Sequence, residues 1–405
     1  MNQQPRTHSG ITVRNFTLIL TALSAVIWMG TSIFIPGLPE IGRDLGINNS
    51  QLSTILTLYF VSFSIMMIAV GPLSDAWGRR GFILAGLGLF MVGSIACGLA
   101  DGVQTIYFGR IIQGLGVGMI QVPTLAMVRD ECQGTMAYTV LGLLGALTGI
   151  IPVLSMLVGG LVIEFTGWRP VFFILAACAG IGIIACMSIP ETLRPESRLD
   201  RIDFLSSMKR YGGILRSKQV MLVTSPLLLF AFFQGAYLII APHTLEARYH
   251  MSPALFAVAN LLVVGGMVAG QFAATRAVKS FAPQKLYIAG AVPALAGGTL
   301  FFGLVITSYM DNVLAFLTPL ALLGFSFGFM EPIGIKSLFS RFKETPAMAS
   351  AMYVSLLLVL QALGSSTVGI LMDISIAPLM IMAMVVAPLG VIIIALARAG
   401  KKRIQ

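Results

Sequence analysis

Apolar runs of about 20 residues recur along the whole chain, and no other feature restricts the fold as strongly. Lipid offers no partner for a bare N–H or C=O. A run of this kind therefore crosses a bilayer as a helix that satisfies its own backbone. Twelve runs are read as spans, at roughly 15–39, 51–72, 81–100, 104–128, 136–163, 169–190, 219–242, 253–275, 286–308, 312–336, 346–372 and 376–397. Composition agrees, with 57% of the 405 residues hydrophobic and 10% charged. Soluble domains carry about 25% charged residues. The first run follows Arg6 and Arg14 and begins like a secretory leader, "FTLILTALSA". Cleavage there would cut through a run that continues to "IFIPGLP", so it is read as an uncleaved first span.

Charge sets the orientation. Of the 26 Lys and Arg, Arg43, Arg169 and Arg248 fall beyond one face and Arg110 falls inside a span. All the others lie on the side of the termini. The positive-inside rule then places both termini in the cytoplasm of a cell whose inner membrane holds the chain. The net charge of +10 is spread between apolar runs, so it points to topology and away from nucleic acid. The longest polar segment, "RPESRLDRIDFLSSMKRYGGILRSK" (194–218), divides the spans six and six and reads as a cytoplasmic linker with a short amphipathic helix near 202–211. The expected architecture is all-α: an N-terminal half over 1–193, the linker, and a C-terminal half over 219–405. Two six-helix halves with the solute site between them is a transporter plan.

Other classes find little support. Cys97, Cys132, Cys178 and Cys186 lack ligand spacing and read as packing residues, with no metal or cofactor implied. The histidines are His8, His243 and His250, and no catalytic constellation surrounds them. No nucleotide-binding motif is present, which argues against ATP-driven transport by this chain alone. An enzyme is therefore not expected.

The loop after the second span reads "GPLSDAWGRRG" and the fourth span reads "GRIIQGLGVG". The first span ends "IPGLPEIGRDLG"; "GWRPVFF" opens the sixth span and "PETL" follows it. With Gly71, Asp75, Gly78, Arg79 and Arg80 in matching places, the chain resembles the major facilitator superfamily. It is similar to the drug:proton antiporter branch of Bcr/CflA-type multidrug exporters. The resemblance implies twelve helices in two pseudo-symmetric halves that alternate access. It also implies a cytoplasmic latch built on the gate loop, with Asp130 as the acid for Arg79. Glycine at 71 and 78 suits a sharp turn. For Asp75, Thr345 and Pro346 supply a helix N-terminus as a partner. Ser32 stands where many members carry an acid. Ser155 and Met156 stand in the fifth span where Gly-Pro or Ala-Pro is expected. In the second half, "GQFAATRAVKSFAPQK" has no acid at the place of Asp75.

Polar residues inside spans mark the remaining candidates. Arg110, Gln113, Gln121 and Thr124 fall on one face of the fourth span, with Gly114 and Gly118 beside them. Arg110 reads either as a cationic centre on a translocation path, favouring anionic or zwitterionic solutes, or as a structural arginine bonded to carbonyls of span one. Weaker stripes place Trp28 with Ser24 and Thr31, Gln234 with Tyr237, Asn260 with Gln271, and Gln361 with Ser365. Each pair is either a helix–helix hydrogen bond or part of an amphipathic cavity lining. Glu331 is the acid set clearly within a span, five residues before Lys336 and about 7.5 Å deeper along the axis. It reads as a proton carrier, or as a gate residue that pairs with a cytoplasmic cation.

The expected function is secondary active transport of a small-molecule solute by a monomer in the bilayer. Efflux of small amphiphilic compounds driven by the proton gradient leads; a transporter of one defined metabolite or siderophore, including an importer, is the alternative.

Overall fold

The computed structural model describes residues 12–132, 134–193, 204–278, 280–281, 283–307, 311–341 and 346–372. All regular structure among them is helical. In the first half the helices are α1 (Val13–Ser32), α2 (Leu38–Leu45), α3 (Asn49–Trp77), α4 (Arg79–Gly98), α5 (Val103–Glu131), α6 (Gly134–Thr166) and α7 (Arg169–Met187). Next come α8 (Phe204–Arg216), α9 (Lys218–Tyr249), α10 (Pro253–Ala277), α11 (Pro283–Ile306), α12 (Val313–Arg341) and α13 (Pro346–Met372). Eleven stretches among the described residues are helical, long and apolar enough to cross a membrane. The run at 376–397 lies outside the described residues.

Two expectations change in detail. The first span is not one helix: α1 stops at Ser32, a single 3-10 turn covers Ile35–Gly37, and α2 restarts at Leu38. Pro36 and Pro39 explain the break, since each removes an N–H and biases the residue before it away from helix. The interfacial helix of the linker segment extends to Arg216, five residues past its expected end.

Local signals account for several ends. Thr12 caps α1 by accepting from the Asn15 N–H at 3.4 Å. Asn48 and Gln51 bond each other's backbone N–H at 2.8 and 3.1 Å, a reciprocal capping box that opens α3. Gly46 takes a left-handed φ of 62° where α2 ends.

The chain separates into two compact units, Met1–Ile47 with Ile55–Met208, and Asn48–Thr54 with Lys209–Gln405. Within each, glycines let helices cross almost at backbone contact. In the first unit an added Cβ at Gly114 would strike Ser62 and the Tyr59 carbonyl of α3, and one at Gly118 would meet Met66 Cβ at 2.6 Å. At another seam Gly86 lies against the Gly116 carbonyl, where a Cβ would sit 2.7 Å away. In the second unit Gly324 and Gly328 of α12 press on the Val263 and Met267 carbonyls, while Gly266 and Gly270 of α10 press on Ala321 and Phe325. The second and fourth spans of each half thus cross in the same way. Helices gain little from hydrophobicity in lipid, so close van der Waals approach at small residues supplies the association.

Gly159 of α6 leaves no room for a Cβ against the Ile33 carbonyl, whereas Gly142 on the same helix faces open space. Gly159→Leu is expected to cost about 3 kcal/mol or more, because backbone cannot yield to overpacking. Gly142→Leu is expected to be tolerated. Fluorescence size-exclusion profiles after heating would compare them; equal survival would contradict the seam.

Candidate functional site

The gate-loop residues form one cluster at the junction of α3 and α4. Arg79 is buried and pairs with Asp75, one turn earlier on α3. Its Nε reaches Asp130 Oδ2 of α5 at 3.3 Å, and Nη1 donates to Ser74 Oγ at 2.9 Å. The expected Arg79–Asp130 pair is therefore present. The turn itself rests on Gly78 alone, whose φ of 108° is costly for any other residue. Gly71 does not belong to the turn: α3 continues through it and through Pro72 as far as Trp77. Thr345, the partner expected for Asp75, lies outside the described residues.

Glu191, in the "PETL" stretch, completes the cluster, and it was not singled out from sequence. Its carboxylate accepts from the N–H groups of Arg79 at 2.9 Å, Arg80 at 3.1 Å and Leu193 at 3.0 Å. An anion here satisfies N–H groups that the first turn of α4 leaves without helical partners. Thr192 donates to Asp130 Oδ2 at 3.3 Å. Arg80 points the other way and donates from Nη2 to the Met187 carbonyl at 2.9 Å, near the end of α7. The gate loop therefore binds three helix ends, those of α3, α5 and α7, to the start of α4. The sequence marks Glu191 as an acid two residues after the last apolar residue of a span, but its approach to the Gly78–Arg79 turn is set by packing.

Arg110 lies deep in the first unit and is fully enclosed. Nη1 donates to the Gly30 carbonyl of α1 at 3.1 Å and to Gln113 Oε1 at 2.8 Å. Gln113 passes the chain on, from Nε2 to Ser94 Oγ at 2.7 Å. The guanidinium carbon sits 4.2 Å from the Phe34 ring centroid and 4.1 Å from that of Tyr59, so two aromatic faces hold its charge. Nε and Nη2 have no hydrogen-bond partner among the described residues. This is the arrangement of an arginine bonded to a span-one carbonyl. Gln121 is half-buried on the same helix, and no hydrogen bond joins it to Arg110 among the described residues. Trp28 is likewise half-buried, and its carbonyl accepts from Ser32 at 3.0 Å.

Two of the departures from the family pattern meet each other. Ser32 Oγ and Ser155 Oγ are 2.6 Å apart and buried, next to the tight crossing of Gly159 on Ile33. A neutral hydroxyl pair occupies the place where an acid is common in the resembled branch.

A second polar cluster stands at the start of α7. Asp44 of α2 accepts from Arg169 Nη1 at 2.6 Å and Trp168 Nε1 at 3.1 Å, while Arg169 Nη2 donates to the Ala100 carbonyl at 3.1 Å. The "GRDLG" and "GWRP" stretches are two sides of this bracket.

In the second unit the stripes resolve into pairs across helices. Tyr237 of α9 donates to Asn260 of α10, and Gln361 of α13 donates to Gln234 of α9 at 2.8 Å. Gln271 does not join Asn260; its Nε2 donates to Glu331 Oε2 at 3.2 Å. Ser365 turns back on its own helix to the Ala362 carbonyl, apart from Gln361. Among the described residues no group of His, Cys, Asp and Glu could hold a metal ion.

A helical membrane protein with two compact units, intramembrane polar pairs and a charged gate loop has the build of a solute transporter. The family model of the Major Facilitator Superfamily matches residues 20–365, and the chain belongs to that family. It is a multi-pass membrane transporter and not an enzyme. It is 26% identical to a "Chloramphenicol resistance protein" of Pseudomonas aeruginosa over 84% of this chain and 80% of that protein. It is 28% identical to "Multidrug resistance protein D" of Escherichia coli (strain K12), over 49% of this chain and 50% of that one. Among solved structures, a D-xylose-proton symporter superposes with a TM-score of 0.74 at 15% identity, covering 93% of this chain and 97% of its own. The human organic anion transporter MFSD10 superposes with a TM-score of 0.68 at 15% identity, over 95% and 99%. At such identities these structures show the fold alone.

Glu191→Ala removes the acceptor of three backbone N–H groups and is expected to cost about 1–2 kcal/mol, a lower thermal midpoint in detergent. Gly78→Ala should cost at least as much, because its Cβ would press on Glu191 in a left-handed backbone. Midpoints equal to wild type would remove the capping role.

Proposed function

We propose that the chain exports small amphiphilic compounds in exchange for protons by alternating access between its two halves. The observation that carries this reading is the setting of Glu331. It lies inside an apolar span, its hydrogen-bond partner is the neutral Gln271, and no cation pairs with it among the described residues. A gate acid is held by a cation, whereas a carboxyl served by an amide is free to take up and release a proton. The neutral Ser32–Ser155 pair supports placing the proton on Glu331, since the first half offers no acid there. The resistance functions in the names of the relatives support efflux as the direction.

In this reading the exporter is a monomer in the inner membrane with both termini cytoplasmic. Trp28, Gln121, Gln234, Tyr237, Asn260 and Gln361 are the polar groups offered to solute, and a passing molecule exchanges for the hydrogen bonds that pair Tyr237 with Asn260 and Gln361 with Gln234. Arg110 anchors the end of α1 through Gly30, so its charge orders the path rather than meeting the solute. The gate cluster of Asp75, Arg79 and Asp130 is the cytoplasmic latch.

The test uses proteoliposomes with ethidium and chloramphenicol as probes under an imposed pH gradient. Glu331→Gln keeps size and hydrogen bonding but cannot change charge. Gradient-free exchange is expected to survive and uphill movement to fall at least tenfold. Uphill transport at the wild-type rate would refute the proton-carrier role. Uptake of one solute against its gradient would replace export with import of a defined metabolite or siderophore.

Asp75→Asn should leave expression near normal, lower turnover several-fold and raise labelling of cysteines introduced on the cytoplasmic side, because one of the two acids holding Arg79 loses its charge. Unchanged labelling with full transport would dismiss the latch.

A further inference from the structure

The Glu331 carboxyl has room for about four hydrogen bonds as an anion. One donor, Gln271 Nε2, is in place at 3.2 Å. A half-buried carboxylate inside an apolar span with a single protein donor is less well supported than a protonated, neutral acid, which needs fewer partners. A donor able to serve the anion should therefore stand nearby without other employment.

Tyr353 of α13 meets that description. The residue is 5% exposed, and among the described residues its hydroxyl has no hydrogen-bond partner. A buried O–H without a partner is uncommon and costly unless another state uses it. Its oxygen lies in electrostatic reach of Glu331 and of Tyr287 on α11. Tyr287 in turn reaches α12 one turn beyond Glu331, where a Cβ on Gly334 would meet its hydroxyl at 2.8 Å. Gln271 and Tyr287 thus come from α10 and α11 to the same stretch of α12, and the Tyr353 hydroxyl, on a helix that packs against α12, lies within electrostatic range of it.

Among the described residues no nearby charge competes for the carboxyl. Arg276 on α10, Lys285 on α11 and Lys336 on α12 are exposed, and α13 carries no charged residue. On α9, Tyr237 is engaged with Asn260, while His243, Glu246, Arg248 and Tyr249 belong to the helix's last two turns and Lys218 to its first. We propose that Tyr353 is the reserve donor of the Glu331 site: its hydroxyl turns to the carboxylate when the proton leaves and lets go when the proton returns. Tyr353 is a positioning residue in this scheme. It keeps its own proton, and the one proton exchanged is that of the Glu331 carboxyl. The inference rests on the proton-carrier reading of Glu331.

The test needs no transported solute. Infrared difference titration of the purified full chain, from about pH 5 to pH 9, follows the C=O band of protonated carboxyls. Subtracting Glu331→Gln assigns the band of Glu331. Tyr353→Phe deletes one oxygen that holds no bond, so folding should be intact; it is expected to move the midpoint of that band upward by about one pH unit, since the anion loses a donor. 3-Fluorotyrosine at position 353, a stronger donor of nearly the same size, should move it downward. A Glu331 band that titrates with the same midpoint in all three proteins would overturn the role of Tyr353 and leave the proton carrier standing. If Glu331→Gln removes no titrating band, the proton-carrier reading fails, and the role of Tyr353 with it.

Discussion

The structure depends on one constraint: in hydrocarbon a backbone polar group has no partner outside its own helix. Helices must therefore be nearly complete, and interruptions must be local and compensated. The break between α1 and α2 obeys this rule, because a 3-10 turn bridges the two prolines. Once backbones are satisfied, side-chain size decides how helices meet. Glycines mark the close crossings in both units, with larger apolar residues filling the space around them.

Charge inside this medium follows a second rule, that each buried ion needs local compensation. Arg110 shows one solution, with a carbonyl, an amide and two aromatic faces around one cation. Arg79 shows another, two carboxylates and a serine at the membrane edge. Glu331 differs from both in having an amide alone. The contrast separates charges that build the scaffold from a group whose charge is able to change.

The spans and the gate loop were legible in the sequence because apolar length and the "GPLSDAWGRRG" match are local signals. The Arg79–Asp130 pair was also legible, since both residues sit at span ends of known side. Glu191, Trp168 and the Asp44–Arg169 bond were not, because which loops face one another is decided by packing over more than fifty residues of chain. Helical periodicity gave faces but not partners in two places. It placed Gln121 with Arg110 and Gln271 with Asn260 on shared faces, while the hydrogen bonds of Arg110, Asn260 and Gln271 run to Gly30 and Gln113, to Tyr237 and to Glu331. A shared face says which direction a side chain leaves its helix, but not which neighbour receives it. Tyr353 looked ordinary in "AMYVS", and only its lack of a partner among the described residues distinguishes it.

The α10–α12 seam has a mechanical consequence. Gly266, Gly270, Gly324 and Gly328 lock these helices backbone to backbone over two turns, and Gln271 and Glu331 follow directly at its end. Flexible side chains would absorb a small local disturbance. Here there are none between the two backbones, so the pair behaves as a stiff plate. A change of charge at its edge cannot be relaxed within the plate, and its force is delivered to the helices that pack around it.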